Sequence, residues 1–277
     1  MAKEATIKTE LFASGYCEAH EKVVNPQKGL KKLRFYAVWA LIHVPDLGYI
    51  MFDTGYSNHF DSATKYFPEI LYKFATPVQL KDDEKAIEIL RKKGIHHTEI
   101  KYIIISHFHA DHIAGLKDFP NAKLICTKEA FQQTQNLKGI SAVSKGVIHK
   151  LIPNDIKERV VYIEDISSQT INDFGITEFK WTLIPHFKLL LLPGHAKGML
   201  GFYDESSHLL FATDAAWDFD CFIKGILPLQ LVRIFIDSWT DLKETMEKLS
   251  RIKQANPETK IVFTHCPKTL QLISNEI

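Results

Sequence analysis

The 277-residue chain is 45% apolar and almost neutral, with 34 basic and 33 acidic side chains and a net charge of +1. That composition supports a full hydrophobic core and excludes the general electrostatic pull toward nucleic acid or anionic membrane that a basic face supplies. No apolar run approaches the roughly 18 residues needed to insert in a membrane, and the polar opening MAKEATIKTE lacks the apolar core of a signal peptide.

Cys17, Cys126, Cys221 and Cys266 lie far apart and form no CxxC pair. A disulfide framework is therefore not expected, and a cytoplasmic, reducing location is. Neither a repeat nor a Gly/Ser- or Pro-rich linker interrupts the chain, so residues 1–277 read as a single domain.

In chain order, KGLKKLR (28–34) reads as a solvated turn, RFYAVWALIHV (34–44) as a strand closed by the turn PDLG, and YIMFDTG (49–55) as a buried strand. Residues 56–80 are aromatic-rich and irregular, a flap or a partly helical excursion. DDEKAIEILRKKG (82–94) predicts a helix with acids at its start, bases near its end and Gly94 at its C-terminus. KYIIIS (101–106) and AKLICT (122–127) predict buried strands, the second followed by a short helix from Lys128. Residues 133–180 mix helix with a hairpin. Strands return at 187–193, 198–204 and 208–214. A helix over 237–256 carries Leu242, Met246, Leu249 and Ile252 at helical spacing, and TKIVFTH (259–265) is the last strand. Strands first, then helix–strand alternation, fit two sheets with helices outside.

His107, His109, Asp111 and His112 follow the KYIIIS strand directly, within SHFHADHIAG. Three more apolar runs end in the same way, at His195, Asp214 and His265. In α/β folds, sites collect in loops beyond strand ends, so these groups are candidates to converge. Imidazole nitrogen and carboxylate oxygen suit borderline divalent metals, zinc above all, with manganese, iron or cobalt as alternatives. Histidines two apart can grip one ion, the Asp–His pair beyond can turn to a second, and a further aspartate can bridge both. Two such ions, about 3.5–4 Å apart, make a hydrolytic device at neutral pH. His20, His43, His59, His96, His97, His149, His186 and His208 sit in no such pattern and read as packed or solvent-facing side chains.

FDTG (52–55), SHFHADHIAG (106–115), LLPGHAKGML (191–200), FATDAAW (211–217) and FTHC (263–266) together resemble the metallo-β-lactamase superfamily, in the family's order and over most of the chain. The resemblance implies an αββα sandwich of two mixed β-sheets with flanking helices. It implies one metal on His107, His109 and His195, another on Asp111, His112 and His265, and Asp214 bridging. Asp111 is also implied to pass a proton to the leaving group. Asp53 is implied to stand behind the ligands and orient them, a simple turn aspartate being the alternative.

Within the superfamily, His109 stands where flavodiiron proteins carry a glutamate, which disfavours a redox di-iron role. Secreted β-lactamases need a signal peptide, glyoxalase II-like enzymes need a C-terminal extension longer than the twelve residues after His265, and nucleases carry added domains or basic exosites. The chain is most similar to the N-acyl homoserine lactone lactonases, the quorum-quenching branch. That implies a dinuclear-metal hydrolase opening a lactone ring, with a small-molecule substrate. Esterase, phosphodiesterase or phosphotriesterase chemistry is the alternative, and a mononuclear iron persulfide dioxygenase shares the histidine-rich motif. Many members of the branch place a tyrosine three residues after the bridging aspartate. Here that residue is Trp217, with one N–H donor and no titratable hydroxyl. The departure implies either another substrate or another donor, Tyr16, Tyr56 or Tyr203, among which the sequence does not choose.

Trp217, Phe219 and Phe222, from the apolar segment 217–235, and Tyr56, from the aromatic segment, are expected to line an acyl pocket. Core packing or a homodimer interface is the alternative use of both segments.

Overall fold

The run RFYAVWALIHV is apolar almost throughout because its strand buries both faces. The computed structural model describes residues 7–273; residues 1–6 of the polar opening and the last four residues of the C-terminal tail lie outside it. One sheet is built from β1 (Lys8–His20), β2 (Lys32–Val44), β3 (Gly48–Phe52), β4 (Val78–Gln79), β5 (Ile100–Ile104), β6 (Lys123–Cys126) and β7 (Val160–Tyr162), in the order β4-β1-β2-β3-β5-β6-β7. The other is built from β8 (Ser168–Ile171), β9 (Thr177–Lys180), β10 (Phe187–Leu191), β11 (Leu200–Asp204), β12 (Leu209–Phe211) and β13 (Lys260–Val262), in the order β13-β12-β11-β10-β9-β8. Both mix parallel and antiparallel neighbours.

The two sheets face each other. Val38, Ala40 and Ile42 of β2 meet Phe187, Phe202 and Phe211 in one inner core. The alternate residues Ala37, Trp39 and Leu41 pack outward with Ile89, Leu90, Ile113 and Phe131 from the covering helices. The second sheet turns Leu190, Leu210 and Ile261 outward beneath Leu242, Met246, Leu249 and Ile252 of the helix Trp239–Ala255. The result is an αββα sandwich.

Two elements depart from the sequence reading. The helix expected over 82–94 is split into a short turn, Asp82–Glu84, and a helix, Ala86–Lys92, because Lys85 between them is extended. The break still lets Ala86, Ile89 and Leu90 bury. Strand β1 carries no clear strand signature in the sequence because its register shifts between Ala13 and Tyr16, at Gly15 with φ +74°. A bulge there breaks the alternation that would announce a strand. The 133–180 segment does combine helices with the β8–β9 hairpin.

Candidate metal centre

Strand direction positions the site. In the first sheet β3 and β5 run parallel, and their C-terminal ends deliver Asp53 and the segment 106–112. In the second, β12 and β13 run parallel and β10 points the same way, since each of β10 and β12 is antiparallel to β11. Their ends lead to His195, Asp214 and His265. Leu200 N–H donates to Ser106 O at 2.9 Å, tying the sheets together at this edge. Two non-glycine residues here have left-handed backbones, Asp53 (φ 61°) and Thr213 (φ 45°). For a β-branched threonine that conformation costs about 1–3 kcal/mol, and the next residue it aims is Asp214.

The seven candidate ligands form two groups, His107–His109–His195 and Asp111–His112–Asp214–His265, with the donor atoms in each lying within 4.8 Å of one another. Asp214 Oδ2 joins them, 3.2 Å from His195 Nε2 and 3.3 Å from His265 Nε2. Asp111 Oδ2 lies 3.1 Å from His265 Nε2 and 3.4 Å from His112 Nε2. His195 Nε2 and His109 Nδ1 face each other at 2.9 Å.

Contacts behind the ring fix which nitrogen of each imidazole is free. His112 Nδ1–H donates to Asp53 Oδ2 at 2.7 Å, and His265 Nδ1–H donates to the Tyr36 carbonyl at 2.9 Å. Ser106 gives its N–H to Asp53 Oδ1 and its hydroxyl to Asp53 Oδ2, both at 2.7 Å, and accepts from His107 Nδ1–H at 3.0 Å. In each of these histidines Nδ1 is occupied behind the ring and Nε2 is the nitrogen that faces the cluster, the orientation metal ligation uses. Ser106 and the Tyr36 carbonyl were absent from the expected site. Ser106 stood inside the quoted motif, whereas a backbone carbonyl leaves no sequence signal.

Electrostatics divide the groups. Burial, reinforced by the neighbouring imidazoles, pushes His107 well below the usual imidazole range and His109 down to about 3; burial likewise takes His195 to about 4. In the other group burial is outweighed by charge pairing. Asp214 and Asp111 hold His265 up at about 10, and Asp111, Asp53 and Asp214 raise His112. Asp111 and Asp214 are in turn held well below the carboxylate range by those histidines, against the effect of burial.

These residues fit a metal. His107 Nε2, His112 Nε2 and Asp214 Oδ1 are buried without any hydrogen-bond partner. Each such orphan costs about 1–3 kcal/mol, a penalty that coordination removes. An all-nitrogen trio beside a mixed carboxylate–imidazole set suits borderline divalent cations.

A cavity of about 280 Å³ opens over the cluster, bordered by His109, Asp111, His195, Asp214 and His265. Its other walls include Cys17, Tyr56, Tyr72, Trp217, Leu231, Val232 and Phe235. Tyr56 and Trp217 thus stand where a pocket was expected. Phe219 and Phe222 do not border it: Phe222 is buried in the core, its ring 5.0 Å from Phe263 and 5.8 Å from Phe219. The helix Phe219–Lys224 turns Phe222 inward and leaves Phe219 half-buried against the core, and the apolar wall comes from later in the same segment. The remaining eight histidines lie outside the cluster; His59, for example, pairs with Asp118 at 2.8 Å. No helix among the described residues is long and apolar enough to cross a membrane.

Comparison with known proteins gives a consistent picture. The N-acyl homoserine lactonase AiiA of Bacillus thuringiensis subsp. kurstaki is 23% identical over 216 residues, covering 76% of this chain and 77% of its own. AttM of Azorhizobium caulinodans, also an N-acyl homoserine lactonase, is 25% identical over 191 residues, or 68% and 66% of the two chains. Among solved structures, an N-acyl homoserine lactone hydrolase holding N-hexanoyl-L-homoserine at its catalytic metal centre superposes with a TM-score of 0.72 at 18% identity, over 99% of this chain and 98% of that one. The dizinc quorum-quenching lactonase AidC gives 0.64 at 18% identity, over 94% and 88%. The family model for the metallo-beta-lactamase superfamily matches residues 34–265, and the chain belongs to that superfamily.

Proposed function

We propose that this protein is a dinuclear-metal hydrolase that opens the lactone ring of N-acyl homoserine lactones, with zinc as its metal. The observation that carries the reading is the pairing of two ligand groups, joined through Asp214 Oδ2, with a cavity whose far wall is largely apolar. The relatives named as N-acyl homoserine lactonases, and the solved neighbour with an acyl homoserine at its metal centre, support it.

His107, His109 and His195 would hold one ion, Asp111, His112 and His265 the other, and Asp214 both. Bound divalent ions supply Lewis acidity and bring the pKa of water close to neutrality. The protein's own residues do the rest. Leu231, Val232 and Phe235 exclude water and pack along the acyl chain. Water adds to the ring carbonyl carbon, the ring C–O bond breaks, and the departing oxygen takes a proton. Asp111, which borders the cavity and lies 3.1 Å from His265 Nε2 through Oδ2, would pass that proton. The product is an N-acyl homoserine carboxylate, and one proton is released to solution at neutral pH.

A mononuclear iron dioxygenase would leave the second group, with the orphaned His112 Nε2, unexplained. The four cysteines are all free, which suits a cytoplasmic enzyme. Proton release on a panel of lactones, linear esters and aryl phosphoesters tests the reading. Lactones should give the highest kcat/KM; turnover no faster than that of aryl phosphoesters would overturn it.

A further inference from the structure

The chain departs abruptly from the first sheet after Asp53. Gly55, at φ +66°, turns it so tightly that a Cβ there would lie 2.6 Å from Ser14 Cβ. Tyr56 N–H then donates to Ser14 O at 3.0 Å, and the Tyr56 ring packs edge-to-face on Phe60, centroids 5.3 Å apart. One turn thus fixes Asp53 behind the candidate ligands and Tyr56 on the cavity wall in front of them. Of the tyrosines the sequence left open, Tyr16 packs at a tilt against Tyr36 and takes Arg34 over its ring, and Tyr203 meets His208 near the opposite strand ends; neither borders the cavity.

Tyr56 is also suited chemically. Burial, with Cys17 and Asp111 nearby, keeps its phenol protonated far above neutral pH, so it is a donor throughout the working range. The Cys17 thiol stands beside it on the same cavity wall. Sulfur is a weak acceptor, so exchanging it for a carbonyl oxygen is favourable. Tyr72 shares the cavity wall, and the rival outside the tyrosines is Trp217. Its Nε1–H is fully buried, and Trp217 also borders a separate cavity of about 20 Å³ behind Asp214, room for a single water.

Building on the lactonase reading, we propose that Tyr56 donates a hydrogen bond to the ring carbonyl oxygen of the substrate, strengthening as that oxygen gains negative charge. The test uses the zinc-loaded protein and two inert ligands, measured by calorimetry. One is the cyclopentanone analogue of N-hexanoyl homoserine lactone, in which a methylene replaces the ring oxygen. The other is the cyclopentane analogue, identical except that it lacks the ring carbonyl. Tyr56→Phe should weaken the cyclopentanone by about tenfold, the scale of one net hydrogen bond, and leave the cyclopentane unchanged. Trp217→Phe should weaken both alike.

Equal effects of Tyr56→Phe on both ligands, or none on either, would overturn the assignment. So would a selective loss in Trp217→Phe alone. The two readings fail separately. A wild-type protein inert to lactones, yet binding the cyclopentanone through Tyr56, would discard the substrate and keep the donor. Lactone turnover with no selective effect of Tyr56→Phe would do the reverse. A wild type that neither turns over lactones nor binds the cyclopentanone would overturn both.

Discussion

Asp53 Oδ2 accepts a hydrogen bond from His112 Nδ1 at 2.7 Å, with both side chains fully buried. That contact aims His112 Nε2 at Asp111 and Asp214, and through Ser106 the same carboxylate also orients His107. Asp53→Asn replaces one acceptor oxygen by a donor that cannot receive the His112 N–H. Zinc affinity, read by chelator competition, should fall by roughly 10–100-fold while the far-ultraviolet circular dichroism is retained.

Gly146 sets the position of His109. Its φ is +75°, and a Cβ built on it lies 2.8 Å from His109 Cδ2 and 3.1 Å from Nε2. Gly146→Ala should displace that ring and weaken the His107–His109–His195 group selectively. Metal analysis after dialysis should approach one zinc per chain rather than two.

Stability of the metal-free protein should pass through a maximum near the ordinary imidazole pKa of about 6.5. His109 and His195, held down to about 3 and about 4 by burial, must fold neutral. The unfolded chain binds those protons more readily, so stability is lost as pH falls below 6.5. His265 acts oppositely: despite burial, Asp214 and Asp111 raise it to about 10. Its contribution is complete below 6.5 and is lost as pH rises through about 10. Thermal unfolding of chelator-treated protein across pH should trace this peak. Zinc needs neutral nitrogens, so the Tm gained on adding it should grow from about pH 5 to about pH 8.

Phe235 borders the cavity and belongs to the short helix Gln230–Phe235. Phe235→Ala removes apolar wall, so KM should rise by about tenfold for a decanoyl substrate and much less for a butanoyl one. A uniform loss in kcat would instead place Phe235 in support of the ligands.

The candidate ligands were legible because the apolar runs before His107, His195, Asp214 and His265 stop abruptly at polar groups. A strand buried on both faces looks the same wherever it stands in a sheet, so the runs also carried the sandwich. What escaped depends on backbone geometry. The bulge at Gly15 hid β1 by breaking its alternation. Phe219 and Phe222 have the composition of a pocket wall, and only the direction of their helix sends Phe222 into the core and leaves Phe219, half-buried, packed against it. Nor does sequence disclose that the turn holding Asp53 also places Tyr56, because the contact that closes it is to Ser14, far away in the chain.

The most direct test is zinc titration of the metal-free protein, with proton release from N-hexanoyl homoserine lactone followed at each addition. Hydrolysis should rise until two equivalents are bound and then level off. Full activity with a single iron and consumption of oxygen, or no proton release at any loading, would contradict the account.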